Sequence, residues 1–201
     1  MPSQHDLDDL NAKEDAAIKA TAAAEAAAQA GDAVLASRLY EDAGVAWAMV
    51  AHGCYVYAEE EPTAGKADLT CWAARCWLAR VDALTHAADL VRSTSPDTAK
   101  RIDGMIDYCL DHAAWIFEAC GQLRLDLGDA DGARGPLARA LSCLLLLRRR
   151  LMERDLLDPE VMEMFFHLER LWRKLQQARK APRAGKKKKA KKKRARRRKH
   201  A

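Results

Sequence analysis

The chain has 201 residues, enough for one domain with a sizeable core, and 49% of them are aliphatic, aromatic or cysteine. Much of this apolar fraction is alanine, aromatic residues are only 6% of the chain, and no run alternates as a strand does, so the sequence predicts an all-helical protein. The net charge of +5 is unevenly distributed. Fifteen of the 34 Lys and Arg lie between residues 179 and 199, which hold no acid, and the rest of the chain has 19 basic residues against 29 acidic ones.

Several classes of protein are not expected from this composition. The first residues contain no apolar segment of the kind found in a secretory signal, and the longest uncharged stretch, residues 43–58, is too short for a transmembrane span. The six cysteines occur singly within helical patterns, which predicts buried free thiols in a reducing compartment. We therefore expect an intracellular protein of the cytoplasm or nucleoid, or of the nucleus if the source has one.

Six helices are predicted in chain order. The first covers about residues 6–30, and Gly31 and Asp32 suit a C-terminal glycine followed by the N-cap of the second helix, which ends at 59–62. The third covers about residues 66–92 after a loop at 62–65, and the fourth begins at Ser95-Pro96, a hydroxyl cap before an N1 proline. The fifth carries residues 137–157, and the sixth runs from Pro159, after an Asp158 cap, to about 178.

Apolar residues recur at intervals of three and four in these helices, as on one buried helical face. In the second helix they are Ala36, Tyr40, Ala43, Trp47, Val50, Cys54 and Tyr57. In the sixth they are Val161, Phe165, Leu168, Trp172 and Leu175. Because the predicted loops are short, neighbouring helices are expected to be antiparallel.

Two segments of the chain share a pattern. Residues 30–43 and 127–140 both read Gly-Asp-x-x-x-Ala-x-x-x-(large)-x-x-Ala, in which small residues allow two helices to approach closely. The pattern rests on Ala36, Tyr40 and Ala43 in the first copy and on Ala133, Leu137 and Ala140 in the second, with Phe117, Cys120 and Gly121 upstream. It resembles the turn and second helix of a tetratricopeptide repeat, in two degenerate copies around residues 16–48 and 113–145. Arg124 departs from it, standing where that family has an aromatic residue.

The resemblance implies a superhelix of stacked helix pairs that binds a protein or peptide, with the sixth helix closing the end of the stack. An unrelated bundle of antiparallel helices remains the alternative, because any helical hairpin favours Gly-Asp turns and alanines. In either case residues 1–178 form the helical domain, and residues 179–201 form a separate basic tail.

The sequence contains no complete catalytic or nucleotide-binding motif, and we predict no enzyme, no cofactor and no metal site. Cys109 and His112 share a helical face, yet a metal site needs two further ligands that the sequence does not supply. Asp103, Asp107 and Asp111 form an acidic stripe at helical spacing. The stripe is interpreted as a solvated face or as a surface for a basic partner.

The C-terminal tail is the strongest functional signal. From Lys186 onward it contains nothing apolar larger than alanine, so it is expected to be disordered and to bind DNA or RNA non-specifically through phosphates. A nuclear address, an anionic membrane surface, a solubilising role and binding back to the acidic body are alternatives. The residues assigned to nucleic-acid binding are Arg183, Lys186, Lys187, Lys188, Lys189, Lys191, Lys192, Lys193, Arg194, Arg196, Arg197, Arg198 and Lys199.

The sequence thus predicts a non-enzymatic adaptor whose helical body binds a protein partner and whose tail holds nucleic acid. Two alternatives stay open. One is a self-associating structural protein of a virion or nucleoid that uses the tail to neutralise nucleic acid. The other is a small helical metal-binding protein with Cys109 and His112 in its site.

Overall fold

The computed structural model describes residues 3–156 and 159–180 of the chain. These residues form six helices: α1 (Gln4–Gln29), α2 (Ala33–Glu59), α3 (Thr63–Val91), α4 (Pro96–Asp126), α5 (Ala130–Glu153) and α6 (Pro159–Lys180). The described part of the chain contains no strand. The all-α fold with six helices is therefore confirmed.

The two Gly-Asp turns have the predicted geometry. Gly31 and Gly128 take the left-handed conformation, with φ of 83° and 74°, which ends a helix at little cost when the residue lacks a Cβ. The next residue caps the following helix in both turns: Asp32 Oδ1 accepts from the Leu35 N–H at 2.9 Å, and Asp129 Oδ1 accepts from the Gly132 N–H at 2.9 Å. The chain thus uses the same device to turn from α1 to α2 and from α4 to α5.

Three helix ends differ from the predictions. The Ser95 hydroxyl does not cap α4 but donates to Thr98 Oγ1 at 2.8 Å, so the start of α4 relies on Pro96 at its first position. Helix α3 begins at Thr63 and includes most of the predicted loop, because Pro62 already has the extended backbone of an N-cap. Helix α5 ends at Glu153 rather than near 157, because Asp155 takes a left-handed φ of 56°. The predicted Asp158 cap lies outside the described residues.

The helices pack mainly on their neighbours in the chain, from α1 on α2 through to α5 on α6. Contacts between helices two apart are made by side chains. Trp72 on α3 donates to Glu14 on α1, Arg101 on α4 pairs with Glu41 on α2, and Lys174 on α6 pairs with Glu118 on α4. The odd-numbered helices therefore form one layer and the even-numbered helices a second, as in a stack of helical hairpins.

Small residues bring the helices close together at the core. Leu10, Ala17 and Ala24 of α1 are fully buried at intervals of seven residues, and the predicted Ala36, Tyr40 and Ala43 of α2 are buried opposite. Gly121 on α4 has a similar role in the contact between α4 and α5. A Cβ placed on Gly121 would lie 2.6 Å from the buried side chain of Leu137, so only glycine lets α5 pack at this distance from α4.

The predicted buried face of α6 is only partly correct. Leu168, Leu171, Leu175 and Ala178 are buried, whereas Phe165 is 39% and Trp172 is 48% exposed. The Val161 side chain lies outside the described set. Helix α6 is the last described helix of the stack and is covered mainly by α5. The part of its apolar surface that does not face α5 is therefore exposed to solvent.

Candidate functional site

The first two residues of the predicted basic tail, Arg179 and Lys180, form the end of α6. Arg134 on α5 donates to the carbonyl oxygens of Ala178 and Arg179, at 3.1 and 3.4 Å, and so neutralises the negative end of α6. The predicted nucleic-acid residues, from Arg183 to Lys199, lie outside the described residues. Their assignment stays a prediction.

Most of the acidic stripe on α4 is not available to solvent or to a basic partner. Asp103 is buried and accepts from Arg92, at the C-terminal end of α3, at 2.9 Å and from Arg150 on α5 at 2.8 Å. Asp107 accepts from Arg150 at 2.9 Å and pairs with Arg154. The sequence interpretation is therefore wrong for two of the three carboxylates. They join α4 to its neighbours, and only Asp111 is exposed.

Cys109 and His112 have separate environments, although they are one helical turn apart. Cys109 is fully buried in the core, and burial raises the pKa of its thiol to about 11. His112 lies among aromatic side chains at the surface, and partial burial lowers its pKa despite the opposing effect of Asp111. Among the described residues no group of three or more His, Cys, Asp or Glu side chains is placed to hold a metal ion.

His112 instead belongs to a cluster that we call the aromatic surface, formed by Tyr55, Trp77, Tyr108, His112 and Trp115. The ring centroids of Trp77 and His112 are 4.7 Å apart at 70°, and those of Tyr108 and His112 are 5.6 Å apart at 13°. Trp115 lies 6.0 Å from His112 and 6.5 Å from Tyr55. Three helices, α2, α3 and α4, thus hold one continuous set of rings.

The aromatic surface is open to solvent. Tyr108 is 60% and Trp115 is 49% exposed, whereas Trp77 is only partly exposed. Arg80 Cζ lies over the Trp77 ring, 5.2 Å from its centroid, in a cation–π contact. Rigid, exposed Tyr and Trp side chains offer large contact area at a small cost in conformational entropy, and they are the residues that most often dominate binding to proteins.

Exposed apolar residues are also found on other helices. Helix α2 exposes Val45, Met49 and Val56, and helix α6 exposes Met162, Phe166 and Trp172. Helices α1 and α5 expose Ile18, Leu145, Leu146 and Met152, so exposed apolar residues are not confined to one layer. The aromatic surface differs from them because ring contacts join its members, and a contiguous patch marks an interaction site more often than scattered exposed residues do.

A groove next to the aromatic surface separates α4 from α6, and we call it the α4–α6 groove. It is lined by Asp107, Tyr108, Asp111, Leu144, Leu147, Leu151, Glu163, Met164 and His167. The leucines and Met164 give it an apolar floor, while Asp111 and Glu163 are exposed at its rim. Tyr108 belongs to both the groove and the aromatic surface, so one ligand can contact both.

Glu118 positions α6, the far wall of the groove. This carboxylate is buried and accepts from Lys174 Nζ at 2.8 Å, and its Oε2 lies 2.7 Å from His167 Nε2. Burial alone would raise the pKa of Glu118, but the Lys174 hydrogen bond and the nearby positive charges lower it. Arg170 donates to His167 Nδ1 at 2.9 Å, which leaves the proton of neutral His167 on Nε2, facing Glu118.

Sequence reasoning also missed that four of the six cysteines lie in pairs. Cys54 on α2 contacts Cys76 on α3, and Cys71 on α3 contacts Cys120 on α4. All six thiols are free, as predicted, and five are buried while Cys71 is only half-buried. Spacing along the chain gives no sign of these pairs, because each forms between two different helices.

Among the described residues, no helix combines the length and apolarity that crossing a bilayer requires. No family model matches the chain, and no curated protein matches it. The tetratricopeptide resemblance therefore stays a prediction. Among solved structures, the chain is similar to a circular tandem repeat protein with novel repeat topology and enhanced subunit contact surfaces. The two are 17% identical, with a TM-score of 0.38, and the match covers 82% of this chain and 40% of that protein.

Proposed function

We propose that the chain is a helical scaffold that binds a protein partner through its body and nucleic acid through its tail. The observation that carries the first part is the aromatic surface, whose five rings come from three helices and include the exposed Tyr55, Tyr108 and Trp115. Leaving such large apolar rings in contact with water is unfavourable. Binding a partner explains it.

The neighbouring groove suggests the chemistry of that partner. An apolar floor of leucines with Asp111 and Glu163 at the rim suits an amphipathic segment that carries Lys or Arg beside large apolar residues. The chain's own tail has the charge, but its apolar side chains are only those of alanine and Pro182, so it would leave the floor unfilled. We therefore favour a segment of another protein as the occupant.

The tail supports the second part of the proposal by its charge. Fifteen basic residues within 21 positions, without an acid among them, match a polyphosphate better than any small ligand. Each phosphate contact releases counterions, so the affinity for duplex DNA should fall by about 0.9 log units per log unit of salt for each contact. A body bound to its partner and a tail bound to nucleic acid would bring the two ligands together.

The tail is tested by fluorescence anisotropy of the full-length protein and a 1–178 fragment against duplex DNA, single-stranded DNA and RNA, at low and physiological salt. We expect binding by the full-length protein, with a steep salt dependence, and none by the fragment. Equal binding by both would assign nucleic-acid binding to the body. Binding by neither would overturn this half of the proposal.

The body is tested with surface variants of the 1–178 fragment. A protein partner is first identified by crosslinking to the fragment. We expect Tyr108→Ala and Trp115→Ala each to lower the affinity for this partner by at least about tenfold, as truncation of a central aromatic residue does. Leu145→Ala on α5, which is 49% exposed but outside both surfaces, is the matched control and should have no effect. Equal binding by all three variants would contradict the proposal. Sedimentation of the fragment separates a foreign partner from self-association, in which the same two substitutions would dissociate an oligomer.

A further inference from the structure

The Cys71–Cys120 pair lies where α3, α4 and α5 meet. Cys120 Sγ is 3.2 Å from the carbonyl oxygen of Ala67, which is one helical turn before Cys71, so the two thiols lie side by side across the α3–α4 interface. The Cys120 thiol also lies close enough to the Cys71 sulfur to influence its pKa. The contact with Ala67 therefore keeps Cys120 beside the turn of α3 that carries Cys71.

Positive charge surrounds this pair. Arg75, Arg124 and Arg139 all act on Cys71, and Arg124 also contacts Cys120 while it pairs with Asp68 and Asp129. The hydrogen bond from Cys120 and these three guanidinium groups bring the pKa of Cys71 down to about 6, although burial acts in the opposite direction. A lowered pKa favours the thiolate form of Cys71, and it is the thiolate that reacts with oxidants.

The two thiols differ in access. Cys71 is half-buried and is flanked by exposed Arg75 and Arg139, whereas Cys120 is fully buried behind it. A small oxidant reaches Cys71 first and finds Cys120 adjacent. This is the arrangement of a reactive cysteine with a resolving cysteine.

The pair formed by Cys54 and Cys76 is a natural contrast within the same molecule. These thiols also contact each other between two helices, but both are fully buried, and the Cys76 contact and burial raise the pKa of Cys54. Proximity is therefore common to both pairs, whereas exposure and a lowered pKa are found only at Cys71.

We propose that Cys71 and Cys120 form a peroxide-sensitive redox site that closes a reversible disulfide between α3 and α4. The Cys71 thiolate attacks one oxygen of hydrogen peroxide, the O–O bond breaks, and hydroxide leaves with the formation of a sulfenic acid. Cys120 then attacks the Cys71 sulfur, and the sulfenic oxygen leaves as water with the Cys120 proton. Two thiols are oxidised to one disulfide while one peroxide is reduced, and a dithiol reductant reverses the reaction.

The full-length protein is tested by treating its reduced form with one equivalent of hydrogen peroxide, blocking the remaining thiols with N-ethylmaleimide and mapping tryptic peptides. Trypsin cleaves after Lys66 and Arg75, so Cys71 is released on residues 67–75 apart from Cys76. We expect this peptide linked to residues 102–124, with fragmentation of the linked peptides placing the bond on Cys120 and the N-ethylmaleimide on Cys109, and with Cys54 and Cys76 still alkylated. A Cys71 that stays alkylated, or that links to another cysteine, would overturn the proposal.

Variants separate the two chemical steps. Cys120→Ser and Cys120→Ala should stop Cys71 at the sulfenic acid, which a cyclic diketone traps, while Cys143→Ala, a buried thiol elsewhere, should leave the disulfide unchanged. Arg75→Gln with Arg139→Gln changes only exposed side chains, so the fold is preserved. It should move the pH midpoint of Cys71 alkylation upward by about one unit. An unchanged midpoint, or a Cys71 that is alkylated no faster than Cys143, would contradict the assignment.

Discussion

Gly121 shows how much depends on a single missing Cβ at the α4–α5 contact. Leu137 fills the space that a side chain at position 121 would need, and Leu137 itself is completely buried. Ala133, one turn before Leu137, contributes its backbone to the same close approach. Gly121, unlike Gly31 and Gly128, is therefore required by packing rather than by backbone conformation, since it lies within a helix.

We expect Gly121→Ala to lower the free energy of unfolding by about 1–3 kcal/mol, because Leu137 would be forced from its position in a filled core. The matched control is Gly104→Ala, also on α4, where an added Cβ meets nothing within 4 Å. That substitution should raise stability by about 0.5–1 kcal/mol through the lower entropy of the unfolded chain. Chemical denaturation of both variants measures the difference, and equal effects would refute this account of Gly121.

Glu118 and its partners join α6 to α4. Glu118 on α4 pairs with Lys174, His167 and Arg170 of α6. Helix α5 lies between these elements in the chain but supplies none of these groups. Glu118 therefore helps to set the position of α6, and with it the width of the α4–α6 groove, in addition to the packing of α6 on α5.

Glu118→Ala is expected to destabilise the protein by about 2 kcal/mol, the usual value of hydrogen bonds to a charged group. Hydrogen exchange should increase along residues 159–180 and remain unchanged in α1 and α2, which are distant from the change. Glu153→Gln removes an exposed carboxylate paired with Arg149 and is the control, with little expected effect. Uniform loss of protection over all six helices would show that Glu118 has a global role instead.

Acid should weaken the contacts that α4 makes with its neighbours. Burial opposes ionisation at Glu118 and Asp103, but hydrogen bonds from Lys174 to Glu118 and from Arg92 and Arg150 to Asp103 lower the pKa of each carboxyl in the folded protein. As pH falls below about 5, the unfolded chain takes up these protons first, so the stabilising contribution is present above that pH and is lost towards the lowered folded-state values. The free energy of unfolding should fall less between pH 6 and pH 3 in the double variant Glu118→Gln with Asp103→Asn than in the unmodified protein. The same dependence on pH in both proteins would contradict this.

The sequence predicted what is local to each helix. Gly31 and Gly128 with their following aspartates identified two turns correctly, and helical periodicity identified the buried face of α2. The sequence-based predictions were wrong where the environment of a side chain depends on another helix. Asp103 and Asp107 meet arginines far along the chain, and the side chains of Cys71 and Cys120 meet only because α3 and α4 align in one register. Trp172 was assigned to a buried face because periodicity cannot show that the final helix is covered mainly on one side.

At the scale of the whole molecule, each helix depends mainly on its neighbours in the chain, and stability is expected to be nearly a sum of local terms. A 1–156 fragment, which lacks α6, should therefore keep the helices α1 to α5 and unfold cooperatively. Its free energy of unfolding should be lower than that of the whole protein by about the contribution of the α5–α6 interface. Circular dichroism and thermal unfolding test this. A fragment without helical structure would show that the stack closes only when all six helices are present.

The same stacking has a mechanical consequence for a chain that is held at both ends. In a protein whose first and last segments pack together, force is shared by many contacts and the fold breaks at once. Here α1 and α6 are at opposite ends of a series of helices that each pack mainly on the next. Force applied between a partner on the body and a polyanion on the tail would therefore unfold one helix at a time, starting at α6. Between these two anchors, the protein would behave as an extensible linker that yields in steps and reforms when the load is removed.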